Sequence, residues 1–105
     1  MTQEAFQPIG LTVNFTGATT APTAVQPNPS NVVNTNFRIV NSGTVTVFLG
    51  TGTTAALAGT AATVANGIPF VANAVEIMSF PAGTFFTGIT ASGTAVVYVT
   101  MGQGL

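Results

Sequence analysis

Ala74–Met101, AVEIMSFPAGTFFTGITASGTAVVYVTM, carries Val, Ile, Phe and Tyr at strand density and is interrupted twice by turn chemistry, at Pro81-Ala82-Gly83 and at Ala91-Ser92-Gly93. Three runs result: Ala74–Phe80, Thr84–Thr90 and Thr94–Met101. In the last of them Ala95, Val97, Val99 and Met101 fall on one face and Val96, Tyr98 and Thr100 on the other. That two-residue period belongs to a strand, not a helix. Both interruptions are of hairpin length, so the stretch predicts an antiparallel meander that other segments must cover with a second sheet.

Upstream, Thr35–Val40 and Thr44–Leu49 flank Asn41-Ser42-Gly43 and predict a second hairpin, with Phe37 and Ile39 on one face and Val45, Val47 and Leu49 on one face of its mate. Gly10–Thr16 alternates Leu11, Val13 and Phe15 with Thr12, Asn14 and Thr16, the pattern of a half-buried first strand. Between them, Gly17–Asn34 holds three of the six prolines and predicts an irregular arm, with room for a short edge strand at Thr23–Gln26. Gly50–Gly67 is Ala, Gly and Thr with few bulky side chains. A helix there is expected to break at Gly59, so the segment predicts a long loop, followed by a short strand at Ile68–Val71 weakened by Pro69.

Six strands, up to two weaker ones and no helix make an all-β antiparallel β-sandwich. The two long segments suit crossings between sheets, which favours a jelly roll over the alternative immunoglobulin-like arrangement. The predicted core is Phe15, Phe37, Ile39, Val47, Ile77, Ile89, Val97 and Val99. At 105 residues the chain makes one domain, 1–105, with a leader over 1–10 and the arm over 17–34.

Only 3% of the residues are charged, where about 25% is usual. A net charge of −1 gives almost no repulsion between copies, a composition suited to life inside an assembly. The chain has no His, Cys, Lys or Trp, and its only carboxylate side chains are Glu4 and Glu76. General acid–base catalysis, a metal cage and a nucleophilic triad all need more titratable groups than this, so neither an enzyme nor a cofactor is expected. A single arginine, Arg38, excludes a phosphate-neutralising nucleic-acid surface. The charge-free run Ile39–Val75 is interrupted by Asn41, Asn66, Pro69 and Asn73 and is no membrane span. MTQEAFQPIG lacks the basic start and apolar core of a signal peptide, which predicts a cytoplasmic origin.

Gly50-Thr51-Gly52-Thr53-Thr54-Ala55 imitates the dinucleotide fingerprint but lacks the expected βαβ context, and reads as a Gly/Thr loop. Asn14-Phe15-Thr16 matches a glycosylation pattern within a strand, a chance match in a chain without an export signal. Arg38 and Glu76, each the one charge of a clear strand, are expected to form a structural ion pair. The Pro-marked leader and arm are expected to touch assembly partners through Phe6, Pro8, Pro22, Val25, Pro27 and Pro29. Strand addition to a neighbour's edge is one such mode. Deleting the first ten residues is then expected to weaken attachment and leave the fold intact.

FRIVNSGTVTVFLGTG (Phe37–Gly52) and AVEIMSFPAGTFFTGITASGTAVVYVTMGQG (Ala74–Gly104) together resemble the capsid decoration, or cement, proteins of tailed bacteriophages. The resemblance implies a non-enzymatic virion structural protein, made in the host cytoplasm, that binds the outer shell as an oligomer and reinforces joints between capsomers. Its partners would be the major capsid protein and sister copies, with no nucleic acid and no membrane. Two alternatives remain open: a tail, collar or head-fibre component of the same particle, and a small-ligand or glycan-binding β-module, for which Tyr98 is the only Tyr or Trp available.

Overall fold

The computed structural model describes residues 5–27 and 36–103. Seven strands and one helix follow in order: β1 (Gln7–Gly17), β2 (Asn36–Asn41), β3 (Val47–Gly52), α1 (Ala55–Ala61), β4 (Ile68–Phe70), β5 (Val75–Ser79), β6 (Phe85–Ile89) and β7 (Ala95–Gln103). The alternation expected for the last strand holds. Ala95, Val97, Val99 and Met101 are buried, while Val96 and Thr100 are half-buried and Tyr98 is exposed. β7 lies inside a sheet and not at its edge. It pairs antiparallel with β1 through Phe15↔Val97 and with β2 through Ile39↔Val99, in a four-stranded sheet of order β1-β7-β2-β5. The second sheet has the order β4-β3-β6.

The expected hairpins are not there. β5 pairs with β2, β6 with β3, and β7 with β1 and β2, so the predicted meander is divided between the two sheets. Likewise β2 and β3 lie in different sheets, although Asn41-Ser42-Gly43 separates them by a hairpin's length. The connections 42–46, 80–84 and 90–94 each cross from one sheet to the other. Stacked sheets lie about 10 Å apart and extended chain spans roughly 3.3–3.6 Å per residue, so so short a link makes an arch as readily as a hairpin.

At the first arch the deciding residue is Asn41, which is fully buried. Its Nδ2 donates to the carbonyls of Val45 (3.0 Å), Phe70 (2.9 Å) and Val71 (3.2 Å), and its Oδ1 accepts from the Gly43 amide (3.0 Å). One amide therefore ties the end of β2 to the arch and to the strand end of the opposite sheet. The other two arches turn through Gly83 (φ 82°) and Gly93 (φ 75°), in the left-handed region that a side chain disfavours.

β3 and β4 alone among sequential strands pair with each other, with α1 between them. An isolated antiparallel bridge, Val25↔Phe86, places the expected Thr23–Gln26 strand beside β6. With that segment counted, β1-β7-β2-β5 faces Val25-β6-β3-β4, and the chain changes sheet at every connection except β3 to β4. This is the wiring of a jelly roll.

The helix corrects the loop expected over Gly50–Gly67. Thr54 caps it, its Oγ1 accepting from the Leu57 amide at 3.1 Å, and Gly59 sits inside it without breaking it. What holds so short a helix is contact with β3. A Cβ on Gly52 would lie 2.7 Å from the Leu57 Cβ, and one on Gly50 would meet the Ala62 amide at 2.5 Å. The two glycines of the fingerprint-like Gly-Thr-Gly thus let a helix backbone rest on a strand.

Six of the eight predicted core residues are buried: Phe15, Phe37, Ile39, Val47, Val97 and Val99. Phe37 and Phe86 join the sheets with ring centroids 5.2 Å apart, and Phe80 meets Phe86 edge-on at 5.3 Å. Ile77 and Ile89 are only half-buried. Ile77 stands opposite Arg38, on the outward face of an edge strand, and Ile89 alternates with the inward Gly88, whose Cβ would meet Val47.

The leader also needs correcting. Strand β1 begins at Gln7, which pairs with Gln103, and Pro8 pairs with Gly102 before the register shifts and resumes at Thr12. Deleting ten residues would remove part of a strand, so that truncation tests folding together with attachment.

Candidate functional site

The four-stranded sheet turns one face to the core, and no strand or helix among the described residues lies over the other, which the Phe6 ring meets at Gly102. Its outward rows follow from the register. Asn14, Tyr98, Val40 and Val75 run across the sheet in one row, and Thr12, Thr100, Arg38 and Ile77 in the next. Tyr98 is 41% exposed and Val75 50%. A solvated sheet face ordinarily carries polar residues at such positions, so this apolar row is an informative exposure where a lone surface Val would not be.

Beside it lies a groove of about 380 Å³ lined by Phe6, Pro8, Thr12, Arg38 and Thr100. The Thr12 and Thr100 hydroxyls share a hydrogen bond of 2.7 Å on its floor. The Phe6 ring closes one end by lying on Gly102, where a Cβ would come within 2.5 Å of Cζ. Arg38 is exposed and makes no ion pair among the described residues. The expected partnership with Glu76 fails on register. Arg38 faces outward opposite Ile77, whereas Glu76 stands opposite the inward Ile39, so the two charges occupy opposite faces of one sheet.

Of the other expected contact residues, the described arm is committed to its own chain. Val25 exchanges both backbone hydrogen bonds with Phe86 at 2.8 Å, and the Pro22 carbonyl accepts from Thr87 Oγ1 at 2.9 Å. Gln26 Nε2 donates to the Gly83 carbonyl at 3.0 Å, and Pro27 is buried. These residues therefore complete the sandwich and do not reach out from it. Phe6 and Pro8 remain at the groove, and Pro29 lies outside the described residues.

The sheet edges are poor places for strand addition. Pro69 interrupts the three-residue β4, the arm covers β6 at Phe86, and β5 carries Glu76 on its inward face, three devices that blunt an edge. On β1, Pro8 and the register shift before Thr12 break the first half of the edge. What the molecule offers is a face.

The chain matches no family model, no curated protein and no solved structure. Its chemistry has to be read from its own surfaces. Among the described residues no three of His, Cys, Asp or Glu come together. No helix among them is long and apolar enough to cross a membrane. A second concavity of about 430 Å³, lined by Thr44, Val45, Thr46, Phe48, Ala91 and Ser92, contains no ionisable side chain. Sequence reading placed Tyr98 on the outward face of its strand but missed the row it forms with Val40 and Val75. The available signal was that these strands carry Val or Tyr at outward positions as well as inward ones.

Proposed function

We propose that this chain is a non-catalytic structural subunit that works by packing, as a decoration protein on the outer shell of a tailed-phage capsid, with the major capsid protein and sister copies as partners. The observation that carries the reading is the outer face of the four-stranded sheet, which no strand or helix among the described residues covers; it is apolar across Tyr98, Val40 and Val75 and bears, among those residues, one charge, Arg38. A face of that kind gains by excluding water against another surface, and depletion of charge is the compositional mark of an interface core. The jelly-roll wiring and the sparse charge of the whole chain fit the same role.

Quantitative mass spectrometry of purified particles encoding the chain tests this directly. A copy number on the scale of the shell subunits is the expected result. A handful of copies would move the chain to the tail, collar or head fibre, and absence from the particle would overturn the proposal. A glycan array showing specific binding through Tyr98 would favour the binding-module alternative.

A further inference from the structure

Arg38 is the chain's only cation, and Glu76 is the only carboxylate side chain among the described residues. They occupy neighbouring strands, are both exposed, and face opposite sides of the sheet. Their pairing within one molecule is blocked by the alternation of a β-strand. Between two molecules it is not.

We propose that Arg38 of one copy receives the Glu76 carboxylate of a second copy, the groove beside Arg38 seating the neighbour's β5 edge. The inference rests on the reading of the chain as a packing subunit and names the contact between sister copies. Charge complementarity selects the occupant. The outward face, among the described residues, carries no Asp or Glu, so stacking two such faces squarely on each other would bring Arg38 no acceptor. The described carboxylate that can serve lies on β5, at the edge of the same sheet.

The surroundings suit both partners. The groove of about 380 Å³ has room for a carboxylate-bearing side chain, Phe6 and Pro8 form apolar walls, and the Thr12–Thr100 hydroxyl pair offers further hydrogen bonds. On the other side of the contact Glu76 shares its face of β5 with the half-buried Met78, which would find apolar cover against the neighbour's Phe6 and Pro8. Arginine's planar fork matches a carboxylate with two parallel hydrogen bonds, and excluding water around the pair strengthens them. Glu76 thus serves twice: its inward-pointing charge discourages flat pairing of two β5 edges, and it directs that edge to the one cation available.

Sedimentation velocity and light scattering over a concentration series test the contact. The wild-type chain is expected to form a discrete oligomer. Arg38→Glu and Glu76→Arg should each weaken association about ten-fold or more, and the double exchange, which restores both the pair and the net charge, should recover most of it. If a reversal variant fails to fold, Arg38→Gln and Glu76→Gln replace it, and their double variant should associate no more weakly than either single one. A wild-type chain that stays monomeric, single variants that associate like wild type, or a double exchange as weak as the singles would each overturn the contact. Particle loading is assayed in parallel. A monomer that still loads would sink this contact alone, whereas an oligomer that never loads would sink the capsid role alone.

Discussion

The two outer faces of this sandwich have been treated in opposite ways. The three-stranded sheet is covered: α1 rests on β3 at Gly50 and Gly52, and the Pro22 carbonyl of the arm accepts from the outward Thr87 of β6. The four-stranded sheet has no such layer of strand or helix among the described residues, and Tyr98, Val40, Val75 and Ile77 stand on its outer face. Where the chain covers itself, it uses glycine so that backbone can approach backbone. Where it leaves itself open, it presents the side chains that would bury well. The difference teaches that apolar content alone does not mark the inside of this molecule; where α1 meets β3, the contact is marked by missing Cβ atoms.

The largest expected effect is at the arch joining the sheets. Asn41→Ala removes the side chain that satisfies three carbonyls and the Gly43 amide, and should destabilise by about 3–5 kcal/mol in urea unfolding. A loss below about 1 kcal/mol would mean that the arch holds without it. Next comes the covered face. Gly50→Val drives a side chain into the backbone of α1 and should cost about 2–3 kcal/mol, with loss of the helical contribution to circular dichroism. Gly59→Ala has the opposite sign. Its new methyl group meets nothing within 4 Å, and the helix should gain about 0.5–1 kcal/mol in thermal or urea melts. Smallest is the open face, where Tyr98→Ser should change the stability of the isolated chain by no more than about 0.5 kcal/mol while reducing self-association seen by light scattering. Equal stability losses for Gly50→Val and Tyr98→Ser would erase the distinction between the faces.

Strand positions, the inward residues of β7 and the all-β class were legible in the sequence because a two-residue period survives without knowledge of any partner. Partners were not legible. Short, turn-rich links serve hairpins and arches alike, and what separates the two at Asn41 is a hydrogen bond to the carbonyl of Phe70, in a strand far along the chain. The helix was hidden for a related reason: Gly59 weakens it locally, and the compensation comes from Gly50 and Gly52 in the preceding strand. The Arg38–Glu76 pair failed because β5 has apolar residues on both faces, so its parity could be fixed only by the pairing Arg38↔Ile77. The candidate face was half legible. Tyr98 was placed outward correctly, but a row across three strands exists only once their order is known.

The order of strands also sets a clock. Among the described strands β1, the first, pairs with β7, the last, and β2 needs β7 to fill the position between itself and β1. During synthesis at roughly 5–20 residues per second, β1 therefore waits on the order of ten seconds before its partner exists. Throughout that interval β1 is an unpaired strand in a nearly uncharged chain, the condition under which nascent polypeptides associate wrongly, and contacts so distant in sequence form slowly even once the chain is complete. A chain cut short anywhere before β7 would be left without the centre of its larger sheet, so production of this fold depends on the ribosome finishing and on whatever holds β1 until it does.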